Sequence, residues 1–131
     1  MPIDRDMRIL IVDDNQAMRR MLADILRAVG FRNFQFAEDG RLALNRMASD
    51  QEDYGLVLLD WDMPVMNGLQ MLEAMRANPR FANVPVIMVT AEAFSEKVLQ
   101  AVQTGVTDYV VKPYTPDTIY KKIGKIFGDR L

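Results

Sequence analysis

A chain of 131 residues, 50% hydrophobic and 26% charged, can bury a core without disulfides or a structural metal. Its 18 acidic and 16 basic residues leave a net charge of −2 with no block of five like charges, which argues against a nucleic-acid-binding tail or a polybasic membrane anchor. With neither cysteine nor histidine, thiol catalysis, Ser-His triads, disulfides and Cys- or His-ligated metals are excluded, so a bound ion would rest on oxygen ligands, which favours Mg²⁺, with Mn²⁺ or Ca²⁺ as substitutes.

Residues Met1 to Met7 are polar and hold no signal-peptide core. No later apolar run approaches the roughly 20 residues that span a bilayer, so a cytoplasmic protein without membrane insertion is expected. Arg8 to Val12 reads as the first strand, and its core Ile9-Leu10-Ile11-Val12 is apolar without alternation. Gln16 to Val29 follows as a helix, with Met18, Met21, Leu22, Ile25, Leu26 and Val29 on one face and Gly30 as its stop. Asn33 to Ala37 is the second strand and Gly40 to Ser49 the second helix. Leu56 to Leu59, again unbroken, is the third strand, with a helix over Gly68 to Ala77. Val84 to Val89 is the fourth strand, followed by a helix over Ser95 to Gln103. Asp108 to Val111 is the fifth strand, and the last helix, Pro116 to Phe127, opens with Thr115 as cap and Pro116 in its first turn.

Strands without alternation need cover on both faces, as in a parallel sheet between helices. Five βα units with right-handed crossovers predict an α/β, flavodoxin-like, doubly wound sheet in the order 2-1-3-4-5, formed by one domain over residues 1–131. Such sheets gather ligands at the carboxyl ends of their strands, around the switch point between the first and third.

Asp13 and Asp14 directly follow the first strand and Asp60 directly follows the third. Each acid alone would more often cap a turn or helix than bind metal. On neighbouring strands about 4.8 Å apart, however, the three repel, and a divalent cation is the simplest compensation. Thr90 at the end of strand four and Lys112 at the end of strand five fall on the same rim. Alone they would be a cap and a solvated end, but beside three acids their hydroxyl and ammonium can stabilise phosphoryl transfer, which needs positioning and charge more than proton chemistry. A carboxylate can itself accept the phosphoryl group as an acyl phosphate, and Asp60, on the central strand, is the one the other groups can surround.

The chain resembles the receiver domains of bacterial two-component response regulators, and among them the single-domain chemotaxis regulators of the CheY type. The resemblance is carried by Val12-Asp13-Asp14-Asn15, by Leu59-Asp60-Trp61-Asp62-Met63-Pro64-Val65-Met66-Asn67-Gly68, by Val89-Thr90-Ala91-Glu92-Ala93 and by Tyr109-Val110-Val111-Lys112-Pro113-Tyr114. It implies Asp60 as phosphoacceptor, Asp14 as a direct Mg²⁺ ligand, Asp13 as a ligand through water, and the Asp62 backbone carbonyl as a further ligand. It implies Thr90 and Tyr109 as a switch pair, Lys112 as the phosphate-contacting cation, a cis peptide before Pro113, and Asp62 and Glu92 as residues that adjust acyl-phosphate lifetime. As partners it implies a CheA-like histidine kinase, a FliM-like flagellar motor switch protein and a phosphatase, with the protein acting as a monomeric phosphoacceptor switch rather than a turnover enzyme.

Three features depart from that pattern. Asp62 stands where Asn is frequent, and Phe94 and Ser95 stand where paired lysines open the fourth helix, although Lys122 matches a basic position on the last. Lys121, Lys122 and Lys125 read as a docking site for an acidic partner or as a solvated helix face, and the ten methionines as core filler. A phosphorelay or phosphate-sink receiver is the alternative within the family. Outside it, Asp60-Trp61-Asp62 resembles the nucleophile loop of haloacid-dehalogenase phosphatases, but Pro64 replaces the usual Thr or Val. A flavodoxin-like FMN site is disfavoured because three rim carboxylates repel a flavin phosphate.

Overall fold

Side chains alternate between the two faces of a strand, so each strand residue is committed to one layer of helices. In the computed structural model, which describes residues 3–91 and 96–128, β1 (Arg8–Val12), β2 (Phe34–Ala37), β3 (Tyr54–Asp60), β4 (Val86–Thr90) and β5 (Asp108–Val111) form a parallel sheet in the order β2-β1-β3-β4-β5. The connecting helices are α1 (Gln16–Arg27), α2 (Gly40–Ser49), α3 (Gly68–Ala77), α4 (Glu96–Thr104) and α5 (Pro116–Phe127). Ile9, Ile11, Leu56, Leu58, Ile87 and Val110 pack with Leu22, Ala23 and Leu26 of α1 and with Ile119 and Ile123 of α5. Their neighbours Leu10, Val12, Val57, Leu59, Val86 and Met88 face the opposite layer, against Ala43 and Met47 of α2, Met71, Leu72 and Met75 of α3, and Ala101 of α4. The unbroken apolar runs thus form a flavodoxin-like sheet wound on both faces, each buried large side chain contributing about 1.5–3 kcal/mol.

Boundaries shift where local bonding outweighs pattern. β3 extends from Tyr54 through Asp60, so Asp60 ends the strand instead of following it, and β4 likewise takes in Thr90. In α1 the regular turns stop at Arg27, after which Gly30 N–H bonds the Arg27 carbonyl and Phe31 N–H the Leu26 carbonyl, with Gly30 at φ 100°. That pairing is the Schellman stop that glycine favours. The buried stripe of α1 is also rotated: Ala23 is buried, whereas Met21 is 41% exposed. Glu92, Phe94 and Ser95 lie outside the described residues.

The β3–α3 connection is closely packed. Gly68 N–H donates to the Trp61 carbonyl at 2.9 Å, and a Cβ on Gly68 would come within 2.5 Å of the Asp60 carbonyl oxygen and 2.9 Å of Met88 Sδ. Gly68→Ala is therefore expected to destabilise the protein by about 2 kcal/mol despite alanine's better helix propensity. Urea denaturation of the variant checks this, and unchanged stability would show that the loop can relax.

Candidate functional site

Parallel register aligns the strand ends at one rim. Val12 pairs with Leu59, Asp60 with Val89, and Thr90 with Val111, so Asp13, Asp60, Thr90 and Lys112 succeed one another along the carboxyl edge of β1, β3, β4 and β5. One carboxylate oxygen from each of Asp13, Asp14 and Asp60 lies within 4.8 Å of the others. Asp13 and Asp60 are only 3% and 6% exposed, while Asp14 is open to solvent.

Local bonds hold these acids in place. Asn15 N–H donates to Asp13 Oδ1 at 2.9 Å, while the Asn15 side chain caps α1 by accepting from Met18 N–H at 3.1 Å. Arg19, one turn further on, donates through Nη1 to the Asp13 carbonyl at 2.6 Å. Sequence reading overlooked Arg19, whose only signal was its place four residues beyond a cap. Lys112 Nζ donates to Asp60 Oδ1 at 3.0 Å, and Lys112 N–H bonds the Thr90 carbonyl at 2.7 Å, joining β5 to the end of β4. The Lys112–Pro113 peptide is cis.

The electrostatics of the rim are unbalanced. Burial raises the Asp13 carboxyl to about 6, the Asn15 N–H opposes this, and the neighbouring Asp60 charge adds to it. Asp60 is also raised, again chiefly by burial, against the hydrogen bond and charge of Lys112. Carboxylates driven towards their neutral forms, converging with oxygen donors alone, fit a hard divalent cation better than a softer metal. Asp13, Asp14 and Asp60 are the residues that would hold Mg²⁺.

Other predicted residues lie around this rim. The Asp62 side chain is exposed and turns to Lys97 Nζ of α4 at 3.7 Å, and that ammonium lies 5.8 Å from the centroid of the buried Trp61 ring. Tyr109, half-buried on β5, packs against the α2–α4 layer. Lys122 sits 5.4 Å from its ring centroid and pairs with Asp108 at 2.9 Å. Of the three lysines on α5, Lys122 is thus held within the chain, whereas Lys121 and Lys125 are exposed. Glu92 lies outside the described residues.

Comparison with known proteins agrees with this geometry. Residues 9–124 match the response regulator receiver domain family. The chain is 43% identical over 125 residues to chemotaxis protein CheY-3 of Vibrio cholerae, covering 95% of each. It is 46% identical over 121 residues to chemotaxis protein CheY of Pseudomonas aeruginosa, covering 92% of this chain and 96% of that one. Among solved structures, Vibrio cholerae CheY4 superposes with a TM-score of 0.83 at 30% identity over 92% of this chain and 98% of the other. The receiver domain of a Pseudomonas aeruginosa sensor histidine kinase, whose structure has a magnesium ion coordinated in its active-site cleft, gives 0.82 at 27% identity over 95% and 99%. With the sheet order, the acidic rim and the matched segment in agreement, the chain belongs to the response regulator receiver domains and is CheY-like.

Proposed function

We propose that this chain, as a single receiver unit over residues 1–131, takes a phosphoryl group onto Asp60 with Mg²⁺ held by Asp13, Asp14 and Asp60 and by the Asp62 carbonyl. The observation that carries the reading is the convergence of three carboxylates within 4.8 Å while Lys112 approaches one oxygen of Asp60 at 3.0 Å. That approach brings a cation against the Asp60 carboxylate, which is the nucleophile in this reading. The donor in this reading is a phosphohistidine of a CheA-like kinase; with no histidine, the chain cannot itself be such a donor. The Asp60 oxygen forms the new P–O bond as the P–N bond breaks, and the imidazole leaves with the electron pair. Bound Mg²⁺ supplies charge stabilisation for the transferring oxygens. Lys112 and the Thr90 hydroxyl serve the same oxygens from the side of β4 and β5.

The acyl phosphate then shifts a two-state equilibrium through Thr90 and Tyr109, reshaping the face of α4, β5 and α5. The relatives' naming as chemotaxis proteins supports control of the flagellar motor through a FliM-like switch protein, with a phosphatase ending the signal and Asp62 and Glu92 tuning its lifetime. One observation favours the second reading, a relay or phosphate-sink receiver: Lys122, the cation of α5 that matches the family, is engaged by Asp108. Residence in the cytoplasm is part of the same proposal, and among the described residues no helix is long and apolar enough to cross a membrane.

Three outcomes are expected. Borohydride trapping and mass spectrometry after incubation with acetyl phosphate and Mg²⁺ should place the label on Asp60, and Asp60→Asn should acquire none. Labile phosphate on that variant would end the assignment. A FliM-like peptide should retain the protein at least tenfold better with beryllofluoride and Mg²⁺ than without, and equal retention would favour the phosphate-sink role. The third concerns the metal-free protein. Asp13 binds its proton more tightly folded, at about 6, than unfolded, near 4, so the native state binds more protons and stability falls as pH rises between these values. Asp13→Asn, which keeps an acceptor for Asn15, should therefore be more stable than the parent at pH 8 by about 2 kcal/mol. The gap should close towards pH 4 in urea melts, and a pH-independent difference would contradict the buried charge.

A further inference from the structure

The carboxyl edge holds one polar group that nothing so far employs. Among the described residues, the Tyr114 hydroxyl is the buried side-chain polar atom without a hydrogen-bond partner. Its ring packs on the α1/α5 side of the sheet with the cluster of Ile9, Ile11, Leu56 and Leu58. Alternation along β1 and β3 sends Asp13 and Asp60 to that same side, as Ile11 and Leu58 are two residues before them. Tyr114 also lies two residues beyond Lys112, whose ammonium donates to Asp60 at 3.0 Å. The hydroxyl senses both acids: it is pushed up to about 12, first by burial and then by the charges of Asp13 and Asp60.

A buried hydroxyl without a partner is disfavoured, and most such groups in native proteins are satisfied by protein or ordered water. A tyrosine here forfeits what phenylalanine would give at no polar cost, unless the hydroxyl has a partner in some functional state. Metal sites with few protein ligands retain waters, and outer hydrogen bonds to the first shell tune affinity.

We propose that Tyr114 is a positioning residue for the cation site, its hydroxyl donating to water retained beside Asp13 when the site is loaded. This rests on the Mg²⁺ reading above and extends it to a residue outside the acidic cluster. The hydroxyl is disfavoured in the metal-free protein and satisfied in the loaded one, so it couples the two states. Removing it should relieve the first and weaken the second. Met18, Met21, Lys112, Pro113 and Tyr114 line a groove of about 470 Å³ along this side, and the Tyr114 hydroxyl itself is buried.

The test is a Mg²⁺ titration followed by Trp61 emission and by calorimetry, with thermal melts, on the parent, Tyr114→Phe and Tyr120→Phe. Tyr120 is the control because its hydroxyl already donates to the Ile25 carbonyl at 2.7 Å. Tyr114→Phe should bind Mg²⁺ about tenfold more weakly while its metal-free melting temperature stays equal or rises. Tyr120→Phe should melt lower with unchanged Mg²⁺ affinity. Parent-like affinity in Tyr114→Phe overturns the inference and leaves the metal reading standing. Weaker binding accompanied by a lower metal-free melting temperature also overturns it, since that reports general loosening. A parent without saturable Mg²⁺ binding by calorimetry overturns the metal reading, and the inference falls with it.

Discussion

The structure turns on carboxylates held closer together than their charges favour. Parallel pairing of β1 with β3 brings Asp13 and Asp60 to one rim, and burial raises both. Lys112 donates its ammonium to Asp60, and its charge also acts on Asp13 without offsetting the burial that raises that carboxyl. Such an arrangement persists only because two apolar layers, one through α1 and α5 and the other through α2, α3 and α4, fix the strand register independently of the rim. A slip of one residue would turn every strand side chain to the wrong layer, and no electrostatic relief at the rim matches that loss.

The β3–α3 loop shows the same division between scaffold and site. Val65 is 75% exposed with φ 66°, a conformation disfavoured for a β-branched residue, and Met66 N–H closes a three-residue turn on the Pro64 carbonyl at 2.7 Å. Strain of this kind is worth about 1–3 kcal/mol and survives only where its surroundings dictate it. Here they do: the Met66 carbonyl accepts Gly40 N–H of α2 at 3.1 Å, Asn67 and Gln70 close a reciprocal cap on α3, and Gly68 lies against Asp60. The loop's path is set from both ends, and so is the orientation of the Asp60 peptide.

What the sequence made legible was whatever depends on pattern. Unbroken runs such as Leu56-Val57-Leu58-Leu59 implied a two-sided sheet, and the acids after the first and third runs implied a shared rim. Features set by rotation or reach were not legible. The α1 stripe included Met21 and omitted Ala23 because helical spacing leaves the azimuth of a face uncertain by one position, which packing against Ile9 and Ile11 resolves. Arg19 on the Asp13 carbonyl and Lys97 near Asp62 depend on long side chains spanning separate segments, which no spacing rule reports. Lys122 looked like part of an open basic face because Asp108 lies 14 residues away on β5.

That last pair bears on how a switch in this chain would be biased. Tyr109 lies under the Lys122 ammonium, whose position is fixed by Asp108 on the same strand as the ring. Under the proposed switch, inward rotation of Tyr109 gives up this cation–π contact, worth about 0.5–1 kcal/mol at an exposed site. A phosphoryl group beside Lys112 and Thr90 adds up to two negative charges in a partly buried rim, a larger perturbation than the contact it must displace. The contact is therefore too weak to block activation, yet a change of 1 kcal/mol alters a two-state ratio about fivefold. Under that proposal Lys122, engaged by Asp108, favours the ring position seen here, while Leu99 and Val102 of α4 and Lys121 and Lys125 of α5 stay exposed on the same face.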